Sequence, residues 1–287
     1  MKRFLVIAFS ALVALASSAQ MLWKVSGNGL TKDSYILGTY HLVPASAMNM
    51  ISGLDEALEN CDIVVGESDY NEQKTIDGNK WYELPADSTL DQLYTPQEYK
   101  IVKKRLYQLA GSEFDLGPIK RCKPVRVLFE MFKMIAFKDY TAVNSDDLLD
   151  YGVMKRAVEM GRQSMGLDVT EEVNDLLMGM FSQESIPDQA KMLLEICKED
   201  AILDQMKQMI LSNLGAYMTQ KLDWVVSSSS NQDEKIVINR NRQWVPKLVE
   251  VMPDKSCLVC VGAGHLPGHK GLLQLLRDRG YTVEPMK

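Results

Sequence analysis

Histidine is scarce in this 287-residue chain, which has only His41, His265 and His269. Any chemistry that needs several imidazoles must therefore draw on nearly all of them. Cysteine is scarce too, at five, and the odd count leaves at least one thiol outside any intramolecular pair. Cys122 and Cys197 are the candidates to pair, both in the middle of the chain. Cys257 and Cys260 form a C-x-x-C on a predicted strand, where i and i+3 point to opposite faces. A redox pair needs a helix N-terminus, so these two read as buried apolar residues. Positive charge is not in excess: the formal net charge is -6, and no basic patch with interleaved aromatics occurs. That argues against nucleic acid and against an anionic membrane surface as partners. There is no H-E-x-x-H, no G-x-S-x-G and no P-loop, which removes the zincin, serine-hydrolase elbow and nucleotide-cradle readings.

Long apolar runs are absent beyond the N-terminus. There, Lys2 and Arg3 precede an apolar run from Phe4 to Ala16, and Ser17-Ser18-Ala19 supplies small residues at the −3 and −1 positions. This is the pattern of a secretory signal peptide cleaved after Ala19, because a membrane span needs roughly 20 apolar residues. The expectation is a signal peptide over 1–19 and a single domain over 20–287, exported to the periplasm or secreted, with no stable membrane insertion after cleavage. Hydrophobic residues make up 46% of the chain and charged residues 24%, the balance of a globular protein with a real core.

Two of the three histidines occupy matching places. Tyr35-Ile36-Leu37 runs into Gly38-Thr39-Tyr40-His41-Leu42-Val43-Pro44, and Cys257 to Val261 runs into Gly262-Ala263-Gly264-His265-Leu266-Pro267. Both read strand, Gly-x-x-His-Leu, proline, then a helical pattern. Glycine permits the sharp turn and close approach of a ligand. Ligands of α/β folds collect at such carboxyl ends of strands.

The hydrophobic pattern predicts a hairpin of Leu22 to Ser26 and Ser34 to Leu37 through Gly27-Asn28-Gly29, a helix over Ala47 to Asn60, and a strand over Asp62 to Gly66 ending at Glu67. From about residue 71 to 232 the chain is mostly helical. It includes a helix opened by Pro124, one over Asp150 to Met160, a short strand over Ser164 to Leu167 with Asp168 at its end, and one long helix over Ile186 to Leu214. Many of the 17 methionines fall here, and a helical methionine stripe reads as core. Ser227 to Ser230 reads as a loop, and Asp233 to Met252 as a helix kinked or broken at Pro246. The fold class is α/β (α+β): one mixed sheet built from the N- and C-terminal strand-turn-helix units, with a large helical insertion. The first βαβ unit implies a parallel pairing of its two strands.

Imidazole plus carboxylate suits zinc, manganese, cobalt or iron. His41 and His265 with Glu67 make a candidate site, in which Glu67 is either a ligand or the general base. Asp168 is a helix-capping carboxylate or a ligand. His269 is a surface residue or reaches the same ligand from four residues beyond His265.

Gly38-Thr39-Tyr40-His41-Leu42, Glu67 after an apolar strand, Arg240-Asn241 with Trp244, and Gly262-Ala263-Gly264-His265-Leu266-Pro267-Gly268 with Gly271-Leu272-Leu273 resemble the TraB/GumN family. Asp150 with Ala157, Gly161 and Gly166-Leu167-Asp168 resemble its central pattern, except that the family usually has Glu where this chain has the shorter Asp168. The resemblance implies an α/β core like that of erythromycin-esterase-like and haem-binding ChaN-like proteins. It also implies metal-dependent peptidase activity of the Tiki kind, on a peptide or protein substrate. It places the metal (manganese, cobalt or zinc) on His41, His265 and Glu67, and catalysis on Glu67 and Arg240, the latter stabilising an oxyanion or orienting Glu67. Gly38, Gly262, Gly264, Asp168 and His269 would then lie around the ligand. The alternative is a non-catalytic protein that holds haem, a metal or a peptide in the same cleft.

Overall fold

The structure is a computed structural model, described here for residues 21–73, 79–137, 147–181, 184–219 and 234–286. Six strands form one mixed sheet: β1 (Leu22–Ser26), β2 (Ser34–Thr39), β3 (Ile63–Gly66), β4 (Gln163–Gly166), β5 (Cys257–Gly262) and β6 (Thr282–Pro285). Their order is β4-β3-β5-β2-β1-β6. β2, β5, β3 and β4 run parallel, and β1 and β6 close one edge antiparallel. The two ends of the chain do make one sheet, as the patterning implies. The β1–β2 hairpin loop turns at Gly27, Asn28 and Gly29, all with positive φ.

The expected pairing within the first βαβ unit is corrected. β2 and β3 are parallel but not neighbours, because β5 lies between them and pairs with both. Strand order is a long-range property, and the apolar runs that reveal each strand carry no label for the partner. β5 is buried almost throughout, as a strand between two parallel neighbours must be.

Helices flank this sheet. The predicted Ala47 to Asn60 helix is instead a 3₁₀ turn, Ala45–Met50, followed by the helix Leu54–Asn60. Gly53, at φ 78°, breaks the run in the left-handed region. The predicted Ile186 to Leu214 helix is two helices, Ile186–Lys198 and Asp200–Met218, separated by Glu199 in an extended conformation. Ser227 to Ser230 lies outside the described residues, as does the expected signal segment over 1–19. The Asn239–Val251 helix follows a π-turn at Glu234–Ile238 and runs through Pro246, which forgoes one backbone hydrogen bond. No helix among the described residues is long and apolar enough to cross a membrane.

The sheet and its flanking helices share one buried apolar cluster, and the helical middle has its own. Met131 and Met134 are buried in the second, while Met192 and Met209 on later helices are exposed, so the methionine stripe is only partly core. All five cysteines are free thiols, so the two candidates to pair, Cys122 and Cys197, are not joined. Cys257 and Cys260 are buried, as the strand reading requires.

Gly38 is explained by packing between the two matched turns. A Cβ there would lie 2.9 Å from the Leu266 side chain and 3.2 Å from the Ala263 backbone. Gly271 is more constrained still, since a Cβ would meet the carbonyl oxygens of Pro267 and Leu266 at 2.1 and 2.3 Å. Backbone cannot yield cheaply, so Gly271→Ala is expected to destabilise by about 1–3 kcal/mol or more. Thermal melts should show a loss of several degrees. An unchanged melting temperature would mean that this turn is loosely held.

Candidate functional site

The four parallel strands deliver one candidate residue each at their carboxyl ends. In spatial order these are His41 after β2, His265 after β5, Glu67 after β3 and Asp168 after β4. Helices supply the remainder: Asp150 from Leu149–Glu159, and Arg240, Asn241 and Trp244 from Asn239–Val251.

Arg240 is the hub, and it is buried. Its Nε and one terminal nitrogen donate to Asp168 Oδ2, at 3.0 and 2.7 Å. The same terminal nitrogen donates to Glu67 Oε2. The other donates to the Ile236 carbonyl at 3.2 Å and lies 3.3 Å from His265 Nε2. The guanidinium also stacks over Trp244, 4.6 Å from the ring centroid, and Trp244 Nε1 donates to Asp168 Oδ1 at 2.7 Å. Asp168 is therefore a partner of Arg240 and Trp244, with both oxygens engaged.

The surroundings assign the His265 tautomer. Asn241 Nδ2 donates to the carbonyls of His265 and Lys270, at 3.0 and 2.9 Å. That turns its Oδ1 toward His265 Nδ1, 2.7 Å away, so Nδ1 carries a proton. Nε2 is then the acceptor for Arg240. Burial pushes the pKa of His265 down to about 4, with Glu67 opposing and Arg240 and His41 adding to the fall. Glu67 Oε1 accepts from the Gly262 amide at 2.7 Å and lies 3.9 Å from His265 Nε2. Burial alone would raise the Glu67 pKa, but the positive charge of Arg240 and the two imidazoles, with the Gly262 amide, hold it down at about 2.

His41 is built differently. Its Nδ1 is 2.7 Å from Asp150 Oδ2. The carboxylate pushes its pKa up toward about 9. Because 63% of the His41 side chain is exposed, water screens part of that attraction, and the upward direction is what the geometry supports. Among the described residues, Asp150 Oδ1 and Thr39 Oγ1 are buried without a hydrogen-bond partner. His41, Glu67, Asp150, Thr39 and Tyr151 line one cavity of about 220 Å³. Burial also pushes the Tyr151 hydroxyl well above its ordinary range, so it stays protonated.

The other expected residues divide. Gly262 presents its amide to Glu67. Gly38 packs the two turns together rather than lining the cavity. A Cβ on Gly264 would meet open space. His269 is exposed and apart from this cavity. Asp150 escaped the sequence reading of the site. Its signal was an acidic residue on the face that also buries Val153, Met154 and Ala157. Asn241 and Trp244 stood in the Arg240 motif without a role.

A sequence profile of the TraB/PrgY/gumN family matches residues 21–285. The chain belongs to this family. No curated protein matches it, and no solved structure does. The TraB/PrgY/gumN sequence thus spends its motif residues, His41, Glu67, Arg240 and His265, at adjacent strand ends of one sheet and on the helix beside them.

The divalent metal expected from the resemblance does not fit these residues as they stand. Among the described residues, no three His, Cys, Asp or Glu side chains group to hold a metal ion. The donors nearest to forming one, Glu67 Oε2, Asp168 Oδ2 and His265 Nε2, are all turned to the Arg240 guanidinium.

Acid should loosen this cluster. His265 has its folded pKa depressed from 6.5 to about 4, and Glu67 from 4.5 to about 2. In each window the unfolded chain binds more protons, so stability falls as pH falls. Melting temperature should drop between about pH 6.5 and pH 4 through His265, and further toward pH 2 through Glu67. His265→Gln should flatten the upper part of that fall. A flat profile for the wild-type chain over this range would contradict the buried neutral imidazole.

Proposed function

We propose that the mature chain is an exported hydrolase that cleaves peptide or protein substrates in the cleft at the carboxyl ends of the parallel strands. The observation that carries this reading is the His41–Asp150 pair, opening onto a cavity beside an ionised Glu67. In the neutral ring, Asp150 accepts from Nδ1–H and leaves the lone pair on Nε2. That nitrogen takes a proton from water as the water attacks a peptide carbonyl, and Asp150 stabilises the resulting imidazolium. The imidazolium then returns the proton to the departing amine. Tyr151, protonated and on the same cavity, is a donor for the developing oxyanion. Glu67, fixed by Arg240 and the Gly262 amide, sets the negative field at the back of the cleft. Export is supported by the basic start, apolar run and small residues before Ala19.

The test is to incubate the purified chain lacking residues 1–19 with a mixture of unstructured peptides and to read new termini by mass spectrometry. Defined fragments are expected. Tight uptake of peptide or haem with no turnover would make this cleft a binding site instead.

A further inference from the structure

We infer that Arg240 is the resident cation of this cleft, occupying with its guanidinium the place where a divalent metal would otherwise sit and keeping such metals out. All five of its N–H groups are spoken for by Asp168, Glu67, the Ile236 carbonyl and His265 Nε2. Three of those acceptors are the types of atom that bind zinc, manganese or cobalt. They converge on one planar cation.

Charge explains why the arrangement is self-sufficient. Two carboxylates face one guanidinium, so the cluster carries one net negative charge, a small excess for a buried site. A divalent ion added beside Arg240 would meet a cation at close range in a poorly solvated place. Geometry adds a second barrier. The His265 lone pair points at Arg240, because Asn241 has fixed the proton on Nδ1. Trp244 holds the guanidinium from its face and Asp168 from its edge. For a metal to take His265, this whole assembly has to move. Asn241 also ties the His265 turn to the helix that carries Arg240, so the turn and the guanidinium are held as one unit.

This inference concerns the same cleft as the hydrolase reading but does not depend on turnover. Its test is metal binding, so either can fail without the other. The metal-stripped mature chain is titrated calorimetrically with Zn²⁺, Mn²⁺ and Co²⁺, in parallel with Arg240→Ala. The wild-type chain should show no saturable binding in the micromolar range that depends on His265. Arg240→Ala frees Glu67, Asp168 and His265 Nε2. It should bind one ion, and the ion should raise its melting temperature. Adding Asp168→Ala to that variant should abolish the binding. One-to-one micromolar binding by the wild-type chain that His265→Ala removes would overturn the inference, and so would a folded Arg240→Ala that takes up no metal. If Arg240→Ala does not fold, the wild-type titration with its His265→Ala control decides alone.

Discussion

His41→Ala should lower kcat/KM for a cleaved peptide by about 10²–10⁴-fold, the range usual for loss of acid–base help. The ring is exposed over most of its side chain, so its removal leaves no buried cavity, but it strands the mostly buried Asp150 carboxylate, so the variant should stay folded and melt somewhat below the wild-type temperature. Asp150→Asn separates positioning from charge. The amide oxygen still accepts from Nδ1–H, so the ring keeps its tautomer. The negative charge that raises the ring's pKa is gone. Because the base works in its unprotonated form, the wild-type rate should climb with pH above neutrality, along a limb set by His41. In Asp150→Asn that limb should move to lower pH, toward the ordinary histidine value of 6.5. A limb that stays in place would mean that Asp150 does not govern His41, and that another group titrates.

Arg240→Ala should give the largest loss of stability among the site variants. It leaves Glu67 and Asp168 facing each other without a cation, with side chains 21% and 11% exposed. Removing one partner of a buried ion pair costs about 3–5 kcal/mol. For a chain of this size, each kcal/mol shifts the melting temperature by about 2–4 °C. A drop on the order of ten degrees in metal-free buffer is therefore expected. Arg240→Lys should recover only part of it, because one ammonium cannot serve Asp168, Glu67 and His265 at once. A metal-free Arg240→Ala that melts at the wild-type temperature would show that the network contributes little.

Local pattern disclosed much of this molecule. Alternation and apolar runs located β1, β2, β3, β4 and β5 close to their observed bounds. The repeated Gly-x-x-His identified two turns that the sheet places on adjacent strands. Glu67 and Asp168 were marked by standing directly after short strands, and both lie in the cluster. What stayed hidden was long-range. Nothing near β2 says that β5, more than two hundred residues away, inserts beside it. Nothing near His41 names Asp150 as its partner, although an aspartate on a buried helix face was the available hint. Arg240 shows the same limit. An arginine on a helix is usually a surface charge, and only the fold reveals that three strand ends converge where its side chain lies. The two matched histidines also diverge in a way that repetition concealed. His265 is buried and fully engaged, whereas His41 is open and paired with a carboxylate.

The most direct test of hydrolysis in this cleft is cleavage in ¹⁸O-labelled water, read by mass spectrometry on the wild-type chain lacking residues 1–19 and on its His41→Ala variant. Water attack at His41 predicts that the wild-type chain yields fragments carrying one ¹⁸O at each newly made carboxyl terminus, while His41→Ala, still folded, yields almost none. Unlabelled new carboxyl termini, or equal yields from the two proteins, would contradict it.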